Sequence, residues 1–191
     1  MKLLIKNMVC PRCKMSVRDT LSKAGFQVKS VELGEAIIAE ELSDKQLLKL
    51  ETALVNNGFE LIKDRKAELI EKIKNLIVEL IYWSDDKAPL LINHSDYLSQ
   101  KLKREYHYLS GLFSEVESIT IEKYYINQRV ERAKELITYG ELPFNVIAHK
   151  LKYASIHHFS NQFKSITGMS PTTFSKLKKK KRIEINKVGK K

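Results

Sequence analysis

Cysteine, proline and glycine are all scarce in this chain of 191 residues, at two, four and seven. The only cysteines are Cys10 and Cys13. One such pair is no secreted disulfide framework, and a lone CxxC reads as metal or redox chemistry in a reducing compartment. Long apolar runs are missing as well. The start, MKLLIKNMVC, is broken by Lys6 and Asn7, which excludes a signal-peptide core. The most apolar run, Leu76 to Trp83, is short and contains Glu79, so no segment approaches the length of a membrane span. These absences place the chain in the cytoplasm, away from membranes. Also missing are a glycine-rich phosphate loop, paired carboxylates in a cleft-like motif, and a nucleophile with its base. No enzyme is therefore expected.

What is present begins with charge. The formal net charge is +11, and it is unevenly spread. Residues 1–64 carry +1, residues 65–92 are neutral, residues 93–175 carry +2 and residues 176–191 carry +8. A basic tail of that kind binds polyanions through counterion release, without sequence preference, or else is a solvated segment that aids solubility.

Residues 147–174 hold the strongest pattern. Ile147, Ala148 and Leu151 fall on one helical face, and Phe159, Phe163 and Ile166 fall on another at i, i+4, i+7. Tyr153-Ala154-Ser155 joins them, Ser155 is a plausible N-cap, Gly168 a C-cap, and Pro171 follows three residues on. This is a helix-turn-helix. It resembles the second such unit of the AraC/XylS-type DNA-binding domain, in register at Ile147, Ala148, Tyr153, Phe159, Phe163, Gly168 and Pro171. The family's turn glycine is Lys152 here.

The theme occurs twice. Leu98-Ser99 and Leu102 parallel Ile147-Ala148 and Leu151 forty-nine residues later, and Leu109 and Phe113 parallel Phe159 and Phe163. The AraC-type domain is similar: two helix-turn-helix units joined by a long helix, here residues 120–138, with Thr120 as N-cap and Gly140 as stop. Arg129 and Ala133 match that helix's usual pattern. A rod of roughly 27 Å would hold two reading helices about one DNA turn apart, so that one monomer reads two successive major grooves of double-stranded DNA. The reading positions are Tyr106, His107, Ser110 and Gly111 in the first unit. In the second they are Ile156, His157, Ser160 and Asn161, with Lys164 nearer the phosphates. The family commonly has arginine where Gly111 and Asn161 stand, and arginine reaching guanine is the commonest specific base contact.

The first sixty-odd residues alternate differently. Strand 2–6 is followed by the cysteines in a loop, then a helix from Met15 or Val17 to Ala24, and a hairpin about Gly34-Glu35. A helix capped by Ser43 and stopped by Asn57-Gly58 leads to a last strand, 59–62. The order β-α-β-β-α-β is the ferredoxin-like arrangement. With Met8, Cys10, Cys13, Val17 and Leu21 in place, it resembles a heavy-metal-associated domain, although Asn7 replaces the family's glycine. Two thiolates three residues apart suit linear Cu(I), whereas Zn(II) needs further donors. Arg12 and the helix N-terminus are expected to lower the thiol pKa values. A metal site, a thiol switch and a loop without ligand all fit the CxxC. The motif is also similar to that of glutaredoxin-type enzymes, but their fold needs a later proline beside the dithiol, and none lies between Pro11 and Pro89.

Residues 66–83 form one amphipathic stripe, which packs on the DNA-binding domain or pairs with its copy in a homodimer. The loop after it contains Asp85-Asp86-Lys87-Ala88-Pro89.

The expected chain is thus α+β: a ferredoxin-like domain (1–64), a connecting helix and loop (65–92), an all-α tandem helix-turn-helix domain (93–175) and a basic tail (176–191). The function that the resemblance implies is sequence-specific transcription regulation, and the fusion of the two modules motivates the hypothesis that Cu(I), another soft metal ion or thiol state at Cys10 and Cys13 biases it. The alternative is a metal carrier or protein-interaction adaptor whose helix-turn-helix units bind DNA weakly or not at all.

Overall fold

The computed structural model describes residues 1–62, 64–83, 93–177 and 181–189. The chain divides into two compact units, Met1–Leu76 and Ile77–Lys191. The expected loop at residues 85–89 lies outside the described residues.

The first unit is a small antiparallel sheet with helices. Its strands are β1 (Lys2–Lys6), β2 (Val28–Glu32), β3 (Glu35–Ile38) and β4 (Glu60–Leu61), in the order β2-β3-β1-β4. Strand β1 is central: Leu3 lies opposite Ala36 of β3, and Ile5 opposite Leu61 of β4. Alternation along β1 sends Leu3 and Ile5 to one face. There they join Val17 and Leu21 of α1 (Pro11–Lys23) and Leu50 and Leu54 of α2 (Asp44–Asn56) in one core. On the other face Lys2 pairs with Glu35 (2.6 Å) and Lys6 with Glu60 (3.5 Å).

Helix α2 starts where Ser43 predicts, the Ser43 amide donating to Gln46 Oε1 at 3.0 Å. Helix α1 starts earlier than expected. Pro11 occupies its first turn and Cys10 its N-cap, because proline's fixed φ and missing N–H cost nothing there. The cysteines therefore sit on a helix start and not in a loop. Asn7, just before them, is left-handed at φ 72°, a conformation that asparagine tolerates better than most residues.

Helix α3 (Arg65–Val78) passes into a π-helical turn, Glu79–Trp83, where one unbroken α-helix was expected. In the first unit its Glu71 carboxylate accepts from the Asn7 amide (3.4 Å) and from the Lys74 ammonium (3.2 Å).

The second unit is helical. It contains α4 (His94–Leu102), α5 (Tyr106–Glu117), α6 (Ile121–Tyr139), α7 (Phe144–Lys150), α8 (Ile156–Thr167) and α9 (Pro171–Ser175). Helix α6 is the shared wall. Its Val130, Ala133, Leu136 and Ile137 form one core with Ile147, Ala148, Leu151, Phe159, Phe163 and Phe174. Toward its start, Ile121 and Tyr124 are buried like Leu98, Leu109 and Phe113, and the Tyr124 ring lies 5.5 Å from that of Phe113. Pro171, three residues beyond the Gly168 stop, opens α9. Ser170 caps that short helix and Phe174 packs on Phe163 at 5.5 Å.

The C-terminal segment departs most from expectation. Residues 181–189 lie along α6. The Ile183 amide donates to Glu131 Oε1 at 2.6 Å, and Gln128 Nε2 donates to the Ile185 carbonyl at 2.9 Å. Val188 is buried, and Gly189 lies so close to Ile119 that a Cβ would stand 2.8 Å from its Cδ1. Arg182 reaches Glu135 at 3.3 Å. This part of the tail is docked on α6 as a strap, with Lys181, Arg182 and Lys187 exposed.

Candidate nucleic-acid interface and dithiol

Each helix pair turns through a left-handed residue. In the first pair it is Lys103 (φ 52°), in the second pair Lys152 (φ 57°), again forty-nine residues apart. The second helix of each pair also ends left-handed, at Ser118 (φ 58°) and Gly168 (φ 80°). The turn geometry thus repeats together with the buried apolar residues, and Lys152 adopts the conformation for which glycine is the usual residue, at roughly 1 kcal/mol. The Ser155 hydroxyl accepts from the His158 amide at 3.1 Å and starts α8 as expected.

Most of the residues expected to read DNA are exposed on α5 and α8. His107, Gly111, Ile156, His157, Asn161 and Lys164 are exposed, while Ser110 and Ser160 are half-buried. Tyr106 is less open. Its ring meets His94 edge-on at 6.2 Å, and burial, helped by the Glu122 charge, raises its phenol pKa. His94 in turn stacks on Tyr125 at 4.6 Å and contacts Glu122 at 2.9 Å.

Three residues not among the expected readers lie at the start of α5, two in the turn before it and one in its first turn. Lys103, Arg104 and the half-exposed Tyr108 line a cleft of about 570 Å³ at the start of that helix. Two consecutive cations in the turn were the available signal, since phosphate contacts come from such positions.

Inside α6 the guanidinium of Arg129 is buried. Its carbon lies 3.7 Å from the Tyr153 ring centroid and 5.3 Å from that of Tyr125. A cation against an aromatic face is attracted by the ring quadrupole, more strongly when desolvated. Arg129 thereby ties the rod to the turn of the second helix pair.

In the first unit the Cys10 and Cys13 sulfurs are 3.2 Å apart, and both residues are half-buried. Convergence is as expected, but the Cys13 pKa is not lowered. Burial pushes its thiol up, and the hydrogen bond with Cys10 adds to the rise. Among the described residues no group of three His, Cys, Asp or Glu side chains forms a metal-binding cluster. No helix among them is long and apolar enough to cross a membrane.

Comparison with known proteins bears on the second unit. No curated protein and no solved structure matches the chain. A helix-turn-helix domain model matches residues 98–177, from Leu98 in α4 to just past α9. That family is a DNA-binding one and not an enzyme family. Residues 98–177 are therefore similar to the AraC-type helix-turn-helix domain, which supports a DNA-binding transcription regulator of that type.

Proposed function

We propose that the chain is a cytoplasmic, sequence-specific transcription regulator that reads two successive major grooves through α5 and α8. One observation carries this: two helix pairs with the same turn geometry lean on a single 19-residue helix. In this reading His107, Ser110, Gly111, His157, Ser160 and Asn161 approach base edges, Tyr106 and Ile156 flank them, and Lys164 holds phosphate. Asn161 is the residue suited to pair with adenine. The test is selection of bound duplexes from random DNA, followed by gel shifts at several salt concentrations. Asn161→Ala should relax one base position at a cost of about 1–3 kcal/mol, while Lys164→Ala should weaken all sequences alike and reduce the salt slope by about one. Binding without sequence preference in every duplex would count against it.

A second reading concerns the first unit. The sheet order β2-β3-β1-β4, the left-handed Asn7 where the heavy-metal-associated pattern has glycine, and the 3.2 Å approach of two sulfurs support a ferredoxin-like domain that binds a soft ion, Cu(I) above all. Its coupling to DNA is tested by comparing affinity with and without Cu(I) in the chain and in a Cys10→Ser, Cys13→Ser variant. Equal affinities in all four conditions remove metal or thiol responsiveness. The adaptor alternative draws on the absence of arginine at Gly111 and Asn161, and the same gel shifts decide it. A homodimer through residues 66–83 draws less support, because Ile70, Ile73, Ile77 and Val78 are buried in the single chain.

A further inference from the structure

Between α6, the last turn of α8, α9 and the docked strap runs a groove of about 750 Å³. That volume lies in the range of small-molecule sites. Val130, Ile166, Phe174, Ile183 and Val188 contribute apolar surface to its walls. Charge on the same lining is one-sided: Lys123, Lys134 and Lys181 against a single acid, Glu131. Glu131 is already engaged, by the Lys134 ammonium at 2.7 Å and the Ile183 amide at 2.6 Å. Lys123 and Lys181 are exposed and have no carboxylate partner among the described residues. Lysine stems lie along apolar surface while their ammonium heads stay at the water. The groove therefore offers an apolar bed with uncompensated positive charge at its rim.

We propose that this groove binds an apolar carboxylate, an acid with an aliphatic or aryl body. The body would cover Ile166 and Phe174, and the head would meet the rim lysines. The occupant would bridge the strap to the end of α8, since Ser165, Ile166 and Thr167 line one side. Ligand recognition here needs neither DNA nor the dithiol, so it stands or falls apart from the functions proposed above.

The test is a titration of the full chain with sodium decanoate below its micellar concentration, against 1-decanol as an uncharged control. Binding is read by calorimetry and by the thermal midpoint of the chain, which a ligand specific for the native state raises. Decanoate should bind saturably and more tightly than decanol. The double variant Lys123→Gln, Lys181→Gln removes two exposed charge contacts and should weaken decanoate by about tenfold, with decanol unchanged. Ser165→Glu adds a like charge at an exposed wall position and should abolish decanoate binding. Absence of saturable decanoate binding, equal binding of decanol, or indifference to both variants would overturn the assignment.

Discussion

Glu131→Ala is the substitution that best tests how the strap is held. The Glu131 side chain is 3% exposed and that of Lys134, its partner at 2.7 Å, is 10% exposed. Removing one member of a buried pair leaves the other charge uncompensated and costs about 3–5 kcal/mol. The Ile183 amide loses its acceptor too, but the strap can lift and return that N–H to water, which limits the added cost. A total of about 3–5 kcal/mol follows, or roughly 1.5–2.5 M in the urea midpoint for a slope of about 2 kcal/mol/M. The assay is urea unfolding followed by circular dichroism and by the fluorescence of Trp83, the one tryptophan. It is run on the full chain and on a chain stopped after Leu177. In the shortened chain the Ile183 and Arg182 contacts are already gone, so Glu131→Ala should cost about 1–2 kcal/mol less there. A cost below about 0.5 kcal/mol, or equal costs in the two chains, would refute the docked strap.

Three further outcomes are expected. Lys103→Gly and Lys152→Gly should each stabilise the chain by about 1 kcal/mol, seen as raised thermal midpoints, because both backbones are already left-handed. Burial works to raise the Glu135 pKa, but hydrogen bonds from Arg132 and Tyr139 and the charges of Arg132 and Arg182 hold it below the ordinary 4.5. Its contribution to stability is therefore present above that value and lost as pH falls through the lower, folded pKa, so Glu135→Gln should flatten the acid limb of a stability–pH curve. The Cys13 thiol, raised above 9.0 by burial, should alkylate with iodoacetamide more slowly at pH 8 than an exposed cysteine, with an alkaline midpoint that falls on unfolding.

Much of the second unit was legible because its signal is local and repeated. Leu109 and Phe113, and Phe159 and Phe163, lie four apart within their helices, and all four are buried. Caps at Thr120 and Ser155 and stops at Gly140 and Gly168 carry their own chemistry and fell where expected. The start of α1 was missed because Cys-Pro-Arg-Cys has no apolar period, and the proline that marks a first turn also marks loops. Four polar residues of α6, Gln128, Arg129, Glu131 and Lys134, are buried. A hydropathy pattern assigns such residues to solvent, yet here they meet rings, each other and the strap. The strap docks in part through the Ile183 amide and the Ile185 carbonyl, and backbone groups leave no trace in residue identity. Of the residues expected to read DNA, His107, Gly111, Ile156, His157, Asn161 and Lys164 are exposed, whereas Ser110 and Ser160 are half-buried and the crowding of Tyr106 by His94 depends on a neighbour twelve residues away.

Because both helix pairs are seated on α6, that helix acts as a ruler. One extra residue in it would turn everything beyond the insertion by about 100° and advance it by about 1.5 Å. The separation and the phase of the two pairs therefore cannot be adjusted independently. Point substitutions can change what either pair touches, but a partner with a different repeat length would require a rod of different length.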